Sequence, residues 1–360
     1  MKENHLPKIA VIIVSYNGQE YLPDCFNSLK KQTLSPEKII VVDNASQDNS
    51  VEYLKENYPS VDLIVNSKNR GFAGANNQGI ELAFEEKADY IFLLNQDTVL
   101  KSDCLEKLWQ GFSKEKENVF ALQPLILCWS PQSTNQEKKE QIQTSGDKIH
   151  YLGFGFCADY KKIASPENIA KLNKDLTYGS GAALFIKSSL LKKIGFLDQD
   201  LFLYHEDLDL CLRARFQNYK IKLLPEAQLY HKYKEGIPRH RWYWSERNRL
   251  LTLIKFYKWP TLILILPAAL FMEIGILGFS LITGWGHLKI KSYFTCLGQI
   301  PKTLIKRKRI QKTRKITDKD LSYYLEPYFN FTGFNNSLIK KIVNPILGTY
   351  WKIIRKIIFW

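Results

Sequence analysis

Two stretches of this chain place carboxylates and amides at spacings that could do chemistry. In Asn95-Gln96-Asp97 an amide and a carboxylate stand two residues apart, directly after the apolar run YIFLL. Such a pair can close a turn, because Asn and Asp hydrogen-bond their own backbone and end strands. It can also be half of a metal site, offering oxygen to a hard cation. The second stretch is Tyr204-His205-Glu206-Asp207-Leu208-Asp209, followed by Arg213 and Arg215. Acidic residues in a first helical turn favour the helix dipole, and Asp209 can pair with Arg213 one turn on. That accounts for Asp209. It accounts less well for Glu206 and Asp207, since one cap would suffice.

The surrounding elements bear on the choice. Continuous apolar runs predict strands at 8–14 (KIAVIIV), 38–43 (KIIVVD), 61–66 (VDLIVN) and 90–95 (YIFLLN). Between them, Leu22, Cys25, Phe26 and Leu29 recur at helical spacing, as do Cys104, Leu105, Leu108 and Phe112, and 51–54 and 73–84 also read as helix. Short strands alternating with helices imply a parallel sheet covered on both faces. Ligands of such sheets bind beyond the carboxyl ends of the strands. The first strand ends in Ser15-Tyr16-Asn17, the second in Asp43-Asn44-Ala45-Ser46 and the fourth in Asn95-Gln96-Asp97. One Asx turn is common. Three polar clusters on one sheet edge favour a site over a turn. Further on, the polar stretch 130–148 reads as a loop, 151–156 as a strand or hairpin, and 178–186 as an apolar strand opened by a glycine pair.

The chain has 360 residues, 45% of them hydrophobic, which is enough for one large domain and an appendage. Its six cysteines show no C-x-x-C spacing, so no zinc knuckle or redox motif is visible, and they suit a reducing cytosol. The first apolar run is too short for a signal peptide. The net charge of +15 is concentrated near the end: residues 286–360 hold 16 Lys/Arg against 3 Asp/Glu. A basic tail can meet nucleic acid or an anionic membrane surface. Its neighbour at 260–283, PTLILILPAALFMEIGILGFSLIT, has one charge, Glu273, and aromatic flanks, which favours the membrane. Lysines on both sides disfavour a single crossing. Pro267 predicts an early helix break, and Glu273 is expensive in hydrocarbon, so a re-entrant or in-plane hairpin with both ends cytoplasmic fits better. The last residues, 337–360, read as a basic amphipathic helix broken at Pro345. The expected division is a catalytic domain at 1–255, a hydrophobic membrane-associating segment at 256–285, and a basic amphipathic helical tail at 286–360.

In VIIVSYNG, VVDNASQDNS, NRGFAGANNQG, LLNQDT, GSGAALFI, GFLDQDLFLYHEDLDLCLR and SERNR, ordered over about residues 8–250, the chain resembles glycosyltransferase family 2, the large inverting, nucleotide-sugar-dependent family with a GT-A fold. VDNAS with GFAGANN resembles its bacterial rhamnosyltransferase-type branch, which builds cell-surface polysaccharides. The resemblance implies an α/β nucleotide-diphospho-sugar transferase domain. It gives Asp97, with Asn95 and His231, to a divalent cation, Mg²⁺ or Mn²⁺; many relatives carry Asp where Asn95 stands. It gives Asp43 to a uracil or thymine N3–H and Tyr16 to base stacking, with Ser15, Asn17 and Asn76 also on the nucleotide. It makes Asp207 the general base, supported by Glu206. The donor implied is a UDP- or dTDP-sugar, rhamnose leading, and the acceptor a glycan or polyprenyl-linked glycan at the cytoplasmic membrane face.

Arg247 and Arg249 of SERNR are open between phosphate binding and membrane headgroups. The spacing of Gly71, Gly74 and Gly79 is not G-x-G-x-x-G and follows the third strand, which argues against a dinucleotide dehydrogenase. The chain lacks the Q-x-x-R-W signature of processive synthases, so single addition fits better than polymerisation. Two rivals stand: a non-catalytic membrane-bound nucleotide-sugar-binding protein of the same fold, and a tail that binds nucleic acid, whereas the preferred reading expects no nucleic-acid partner.

Overall fold

Ile9 to Ile13 are all fully buried, which makes strand β1 (Ile9–Ser15) apolar on both faces and places it inside a covered sheet. The computed structural model describes residues 6–129, 140–232, 239–329 and 339–360. After β1 come α1 (Leu22–Lys30), β2 (Lys38–Asp43), α2 (Ser50–Asn57), β3 (Asp62–Val65), α3 (Gly71–Glu85) and β4 (Tyr90–Asn95). These four strands are parallel in the order β3-β2-β1-β4, as the alternating pattern predicts. Ser15 stands beside Asp43 and Val14 beside Asn95, so the polar strand ends share one edge.

The sheet continues through β5 (Thr98–Leu100), α4 (Cys104–Lys114) and β6 (Val119–Cys128). Part of 130–148, expected to be loop, is strand: β7 (Ile142–Thr144) pairs with β6, and β8 (Asp147–His150) forms a hairpin with β9 (Gly155–Cys157). Residues 130–139 lie outside the described residues. Ile142 and Ile149 are buried, and these two apolar side chains among polar neighbours are what fix the strands. Then follow α5 (Pro166–Ala170), β10 (Ala183–Lys187), α6 (Ser188–Ile194), α7 (Glu206–Phe216) and β11 (Lys220–His231). The sheet is mixed rather than parallel throughout, because β10 runs antiparallel to β4.

The C-terminal part contains α8 (Arg239–Phe256), α9 (Trp259–Ile282), α10 (Gly286–Thr313), α11 (Asp318–Ser322), β12 (Leu325–Glu326) and α12 (Asn344–Ile357). It packs back on the front of the molecule: β12 pairs with β8, and Trp351 stacks on Tyr151 with ring centroids 4.6 Å apart. Helix α9 runs unbroken past Pro267, contrary to the expected break. A proline inside a helix costs about 3 kcal/mol, but Ile265 and Ala268, on either side of it, are buried and pin the helix. The chain reverses at Gly284, whose φ is +79°. Pro345 is the second residue of α12, which follows directly on a π-helical turn at Ile339–Val343, so the helix changes type beside the proline expected to break it. Among the described residues, α9 is the one helix long and apolar enough to cross a membrane.

Glu273, the one charge of the apolar segment, is not left alone. Arg249 of α8 binds it together with Glu246, and Lys289 of α10 binds the same two carboxylates. This four-charge cluster ties α8, α9 and α10 together, and Arg249 and Lys289 are almost fully buried. Arg249→Ala is expected to destabilise the chain by about 3–5 kcal/mol, because it strands buried charge. Lys171→Ala, in the exposed pair with Glu167, is expected to cost under about 1 kcal/mol. Unfolding curves of the two variants in detergent check the contrast.

Candidate active site

The polar ends of β1, β2 and β4 build one wall of a crevice. Asp43, at the end of β2, is buried; its Oδ2 accepts from Ser46 N–H at 3.0 Å, while Oδ1 is buried without a partner. Ser15, its neighbour on β1, is fully buried with an unpartnered Oγ. The next two residues leave the sheet. Asn17 adopts φ +48° and is fixed from both sides, its N–H on Ser46 Oγ and its Oδ1 on Gln47 N–H. Tyr16 stays 45% exposed, so its ring is free to cover a ligand. Gln96 exchanges two 3.1 Å hydrogen bonds with the Tyr16 backbone and so links the first strand end to the Asp97 loop. Asn76 lies deeper, inside α3, where its amide donates to the Phe72 carbonyl at 2.9 Å.

Asp97, in the turn after β4, faces an imidazole. His231, at the end of β11, brings Nε2 to 3.0 Å from Asp97 Oδ1. The other ring nitrogen, Nδ1, lies 3.0 Å from Gln143 Oε1. Burial raises the Asp97 carboxyl, yet the facing His231 and local hydrogen bonds pull it below its ordinary value. Asn95 is adjacent, with its amide nitrogen 3.5 Å from His231 Nε2, so its oxygen faces away. No cluster of three His, Cys, Asp or Glu able to hold a metal occurs among the described residues.

Asp207 enters the same crevice from α7. The Asn95 N–H donates to the Ala182 carbonyl at 2.9 Å, and the preceding Gly181 N–H donates to Asp207 Oδ2 at 2.9 Å. Two backbone groups one residue apart thus join the end of β4 to the carboxylate of α7. The Leu208 N–H takes Oδ1 at 2.7 Å, which leaves lone pairs on both oxygens. Burial raises the Asp207 carboxyl against these hydrogen bonds. Glu206 beside it is buried with Oε2 unpartnered, and burial followed by the charge of Asp207 raises it well above its ordinary value. Asp209 does what helix design predicts, pairing with Arg213 at 2.8 Å, and it also takes Lys255 of α8 at 2.5 Å.

The loop before α7 is strained. Phe202, Tyr204 and His205 all have φ between +63° and +70°, a region that costs non-glycine residues about 1–3 kcal/mol each. Asn248 of α8 holds it, its amide donating to the carbonyls of Leu201, Leu203 and Tyr204 at 2.7–3.0 Å. Arg247 adds the carbonyl of Asp200 at 2.6 Å. SERNR therefore faces neither phosphate nor headgroups: Arg247 grips this loop and Arg249 the charge cluster. Gly71, at φ +73°, opens α3 against the same loop, where a side chain would collide with the Phe202 carbonyl.

A third carboxylate was not singled out from the sequence. Asp147, at the start of β8, has Oδ1 at 2.7 Å from Thr144 Oγ1. Burial, then the charge of Asp207, pushes it up to about 7, with Arg241 of α8 pulling the other way. Its signal was faint, because it lies in the polar stretch read as loop.

A model of Glycosyl transferase family 2 matches residues 10–195 of the chain. The chain belongs to glycosyl transferase family 2. Among curated relatives of this family 2 chain, dTDP-rhamnosyl transferase RfbF of Shigella flexneri is 25% identical over 264 residues, covering 69% of this chain and 80% of that protein. Low-salt glycan biosynthesis hexosyltransferase Agl10 of Haloferax volcanii is 22% identical over 222 residues, covering 61% of this chain and 66% of that protein. A solved structure, GalNAc-T7 with UDP, GalNAc and Mn²⁺, superposes with a TM-score of 0.54 at 16% identity, over 71% of this chain and 49% of the other. The family 2 chain thus has a GT-A-like fold and spans about half of GalNAc-T7 and about two-thirds of Agl10.

Asp147 supplies a pH test. Its ordinary value is 3.8 and its folded value about 7, so the folded chain holds a proton that the unfolded chain releases. Stability is then fully present below about pH 4 and is lost as pH rises to about 7. Against Asp147→Asn, the unfolding free energy of the wild type should fall progressively across that window, by a difference on the order of a few kcal/mol, with thermal midpoints falling alongside. Parallel curves for the two proteins would mean that Asp147 titrates normally.

Proposed function

We propose that the protein is an inverting glycosyltransferase that moves one sugar from a UDP- or dTDP-sugar to a cell-surface glycan at the cytoplasmic face of the membrane. The observation that carries this reading is the backbone junction at Gly181 and Ala182, through which Asp207 lies beside the loop that bears Asp97. A base for the acceptor hydroxyl and a cation site for the leaving diphosphate then share one crevice.

The nucleotide lies over the ends of β1 and β2. Asp43 Oδ1, buried and unpartnered, accepts the N3–H of uracil or thymine, and the exposed ring of Tyr16 stacks on the base. Ser15 and Asn17 shape the floor of that pocket. Asn76 acts indirectly, by stiffening the first turns of α3. Asp97 and His231 fit a divalent cation, Mn²⁺ or Mg²⁺, and the Asn95 amide would join them only by turning over its oxygen. When bound, that cation neutralises charge on the departing diphosphate. Asp207 takes the proton from the acceptor hydroxyl as that oxygen attacks the anomeric carbon from the face opposite the nucleotide. Its raised pKa suits the task, since a base close to the working pH transfers protons best. Glu206, kept neutral by burial, orients the acceptor or Asp207. Similarity to a dTDP-rhamnosyl transferase supports rhamnose as the first donor to try. The exposed apolar side chains of α9, α10 and α12, including Ile263, Ile274, Phe294, Ile353 and Ile357, support in-plane docking on a membrane. A lipid-linked acceptor would be concentrated there.

Nucleotide release from a panel of UDP- and dTDP-sugars with Mn²⁺ or Mg²⁺ tests the reading. Asp207→Asn is expected to slow transfer by about 10²–10⁴-fold while donor binding stays close to wild type. Asp43→Ala is expected to weaken donor binding by about 1–3 kcal/mol. Unchanged turnover in Asp207→Asn, or tight donor binding without turnover in the wild type, would favour a non-catalytic nucleotide-sugar-binding protein.

A further inference from the structure

Between α8, α9 and α10 lies a cavity of about 460 Å³, within the roughly 300–1,000 Å³ typical of small-molecule sites. Its walls are apolar, formed by Leu253 and Ile254 of α8, Ile265 and Ala269 of α9, and Leu297 and Ile300 of α10. Leu266 and Leu297 line it and are also 50% and 61% exposed, so the cavity opens onto the apolar outer face of α9 and α10. A chain dissolved in a bilayer could enter sideways without crossing polar ground.

A second cavity, of about 480 Å³, lies one turn further along α10, at the start of α9. It is lined by Lys258, Trp259, Leu304, Arg307, Lys308 and Gln311. Leu304 stands one helical turn after Ile300 on α10, and Lys258 caps α9 four residues before Leu262, so the two cavities adjoin along the same elements. The lining changes from apolar to basic from the first to the second. At the basic end Arg307 is occupied with the carbonyls of Ile254 and Tyr257, and the nearby Asp318 is neutralised by Arg314 at 2.8 Å. The Lys258 and Lys308 side chains remain to meet an anion.

We propose that this groove binds the acceptor lipid, a polyisoprenyl phosphate or diphosphate, with its hydrocarbon chain in the apolar cavity and its phosphate at the basic one. The proposal rests on the transferase reading above. One apolar cavity and one basic cavity match a lipid with one chain and one anionic head, whereas a diacyl phospholipid would leave a second chain outside. The groove also sits on the helix that governs the crevice. Arg247, Asn248 and Lys255 of α8 hold the stretch from Asp198 to Asp209, and Leu253 and Ile254 of the same helix line the groove. Lys306, next to the lining residue Arg307 on α10, binds Asp198 and Asp200.

The test uses the full chain in nanodiscs and a photoreactive farnesyl phosphate with a diazirine on its terminal isoprene, with adducts mapped by mass spectrometry. Adducts are expected on the groove residues of α8, α9 and α10, displaced by unlabelled farnesyl phosphate and not by dioleoylphosphatidylglycerol. Ala269→Trp fills the cavity and Leu297→Trp narrows its mouth at an exposed position. Each is expected to lower labelling at least about tenfold, equivalent to 1.4 kcal/mol of affinity. Adducts confined to outward residues such as Ile263 and Ile274, labelling unchanged in both variants, or equal displacement by the phospholipid would overturn the proposal. Nucleotide release in the same preparation separates the two claims: release without groove labelling sinks the groove alone, and groove labelling without release from any donor counts against the transferase reading alone.

Discussion

The direction of β10 is the constraint on which the crevice depends. Because β10 runs antiparallel to β4, its first residues lie beside the last residues of β4. Residues 180–182 are thereby delivered to the ligand edge of the sheet, where Ala182 takes the Asn95 N–H and Gly181 offers its own N–H to Asp207. A parallel strand at this place would start at the opposite edge, leaving α7 without a link to the Asp97 loop. The fit is close: a methyl group at position 181 would sit 3.1 Å from the Phe72 ring and 3.4 Å from the Asp207 Cβ, so the Phe72 ring would have to give way slightly.

A second constraint works from outside the sheet. The segment before α7 takes left-handed backbone at three non-glycine residues, an arrangement that persists only when its surroundings hold it. Asn248 and Arg247 hold it by its carbonyls, and α8 in turn is held by the charge cluster shared with α9 and α10. The helices that carry the apolar surface therefore also brace Glu206 and Asp207. The proposed membrane association and the proposed chemistry would share a scaffold, which is why the C-terminal helices are more than an anchor in this account.

Much of the sheet was legible in the sequence. Ile9 to Val14 could only be a strand buried on both faces, and its polar end, aligned with those of β2 and β4, marked the ligand edge before any coordinates. What escaped was long-range. Nothing in GSGAALFI announces that its strand runs backwards, since direction depends on a crossover rather than on local pattern. In SERNR the two arginines drew attention by charge, yet Asn248 makes three carbonyl bonds between them. Asp147 was hidden in a polar stretch whose only strand signal is Ile142 and Ile149. Pro267 failed as a helix breaker because tertiary packing outweighed local preference, and Glu273 lost its electrostatic cost to partners 24 residues before it and 16 after it in the chain.

The central claim is spatial: a base that takes a proton and a cation that steadies a diphosphate would share one crevice. A crystal structure of the protein soaked with Mn²⁺ and UDP or dTDP, read by the anomalous signal of manganese, tests it most directly. The account predicts a single peak between Asp97 and His231, with the pyrimidine against Asp43 and Asp207 facing the open side of the diphosphate. A manganese peak away from Asp97, or a nucleotide bound with Asp207 on the far side of the sheet edge, would contradict it.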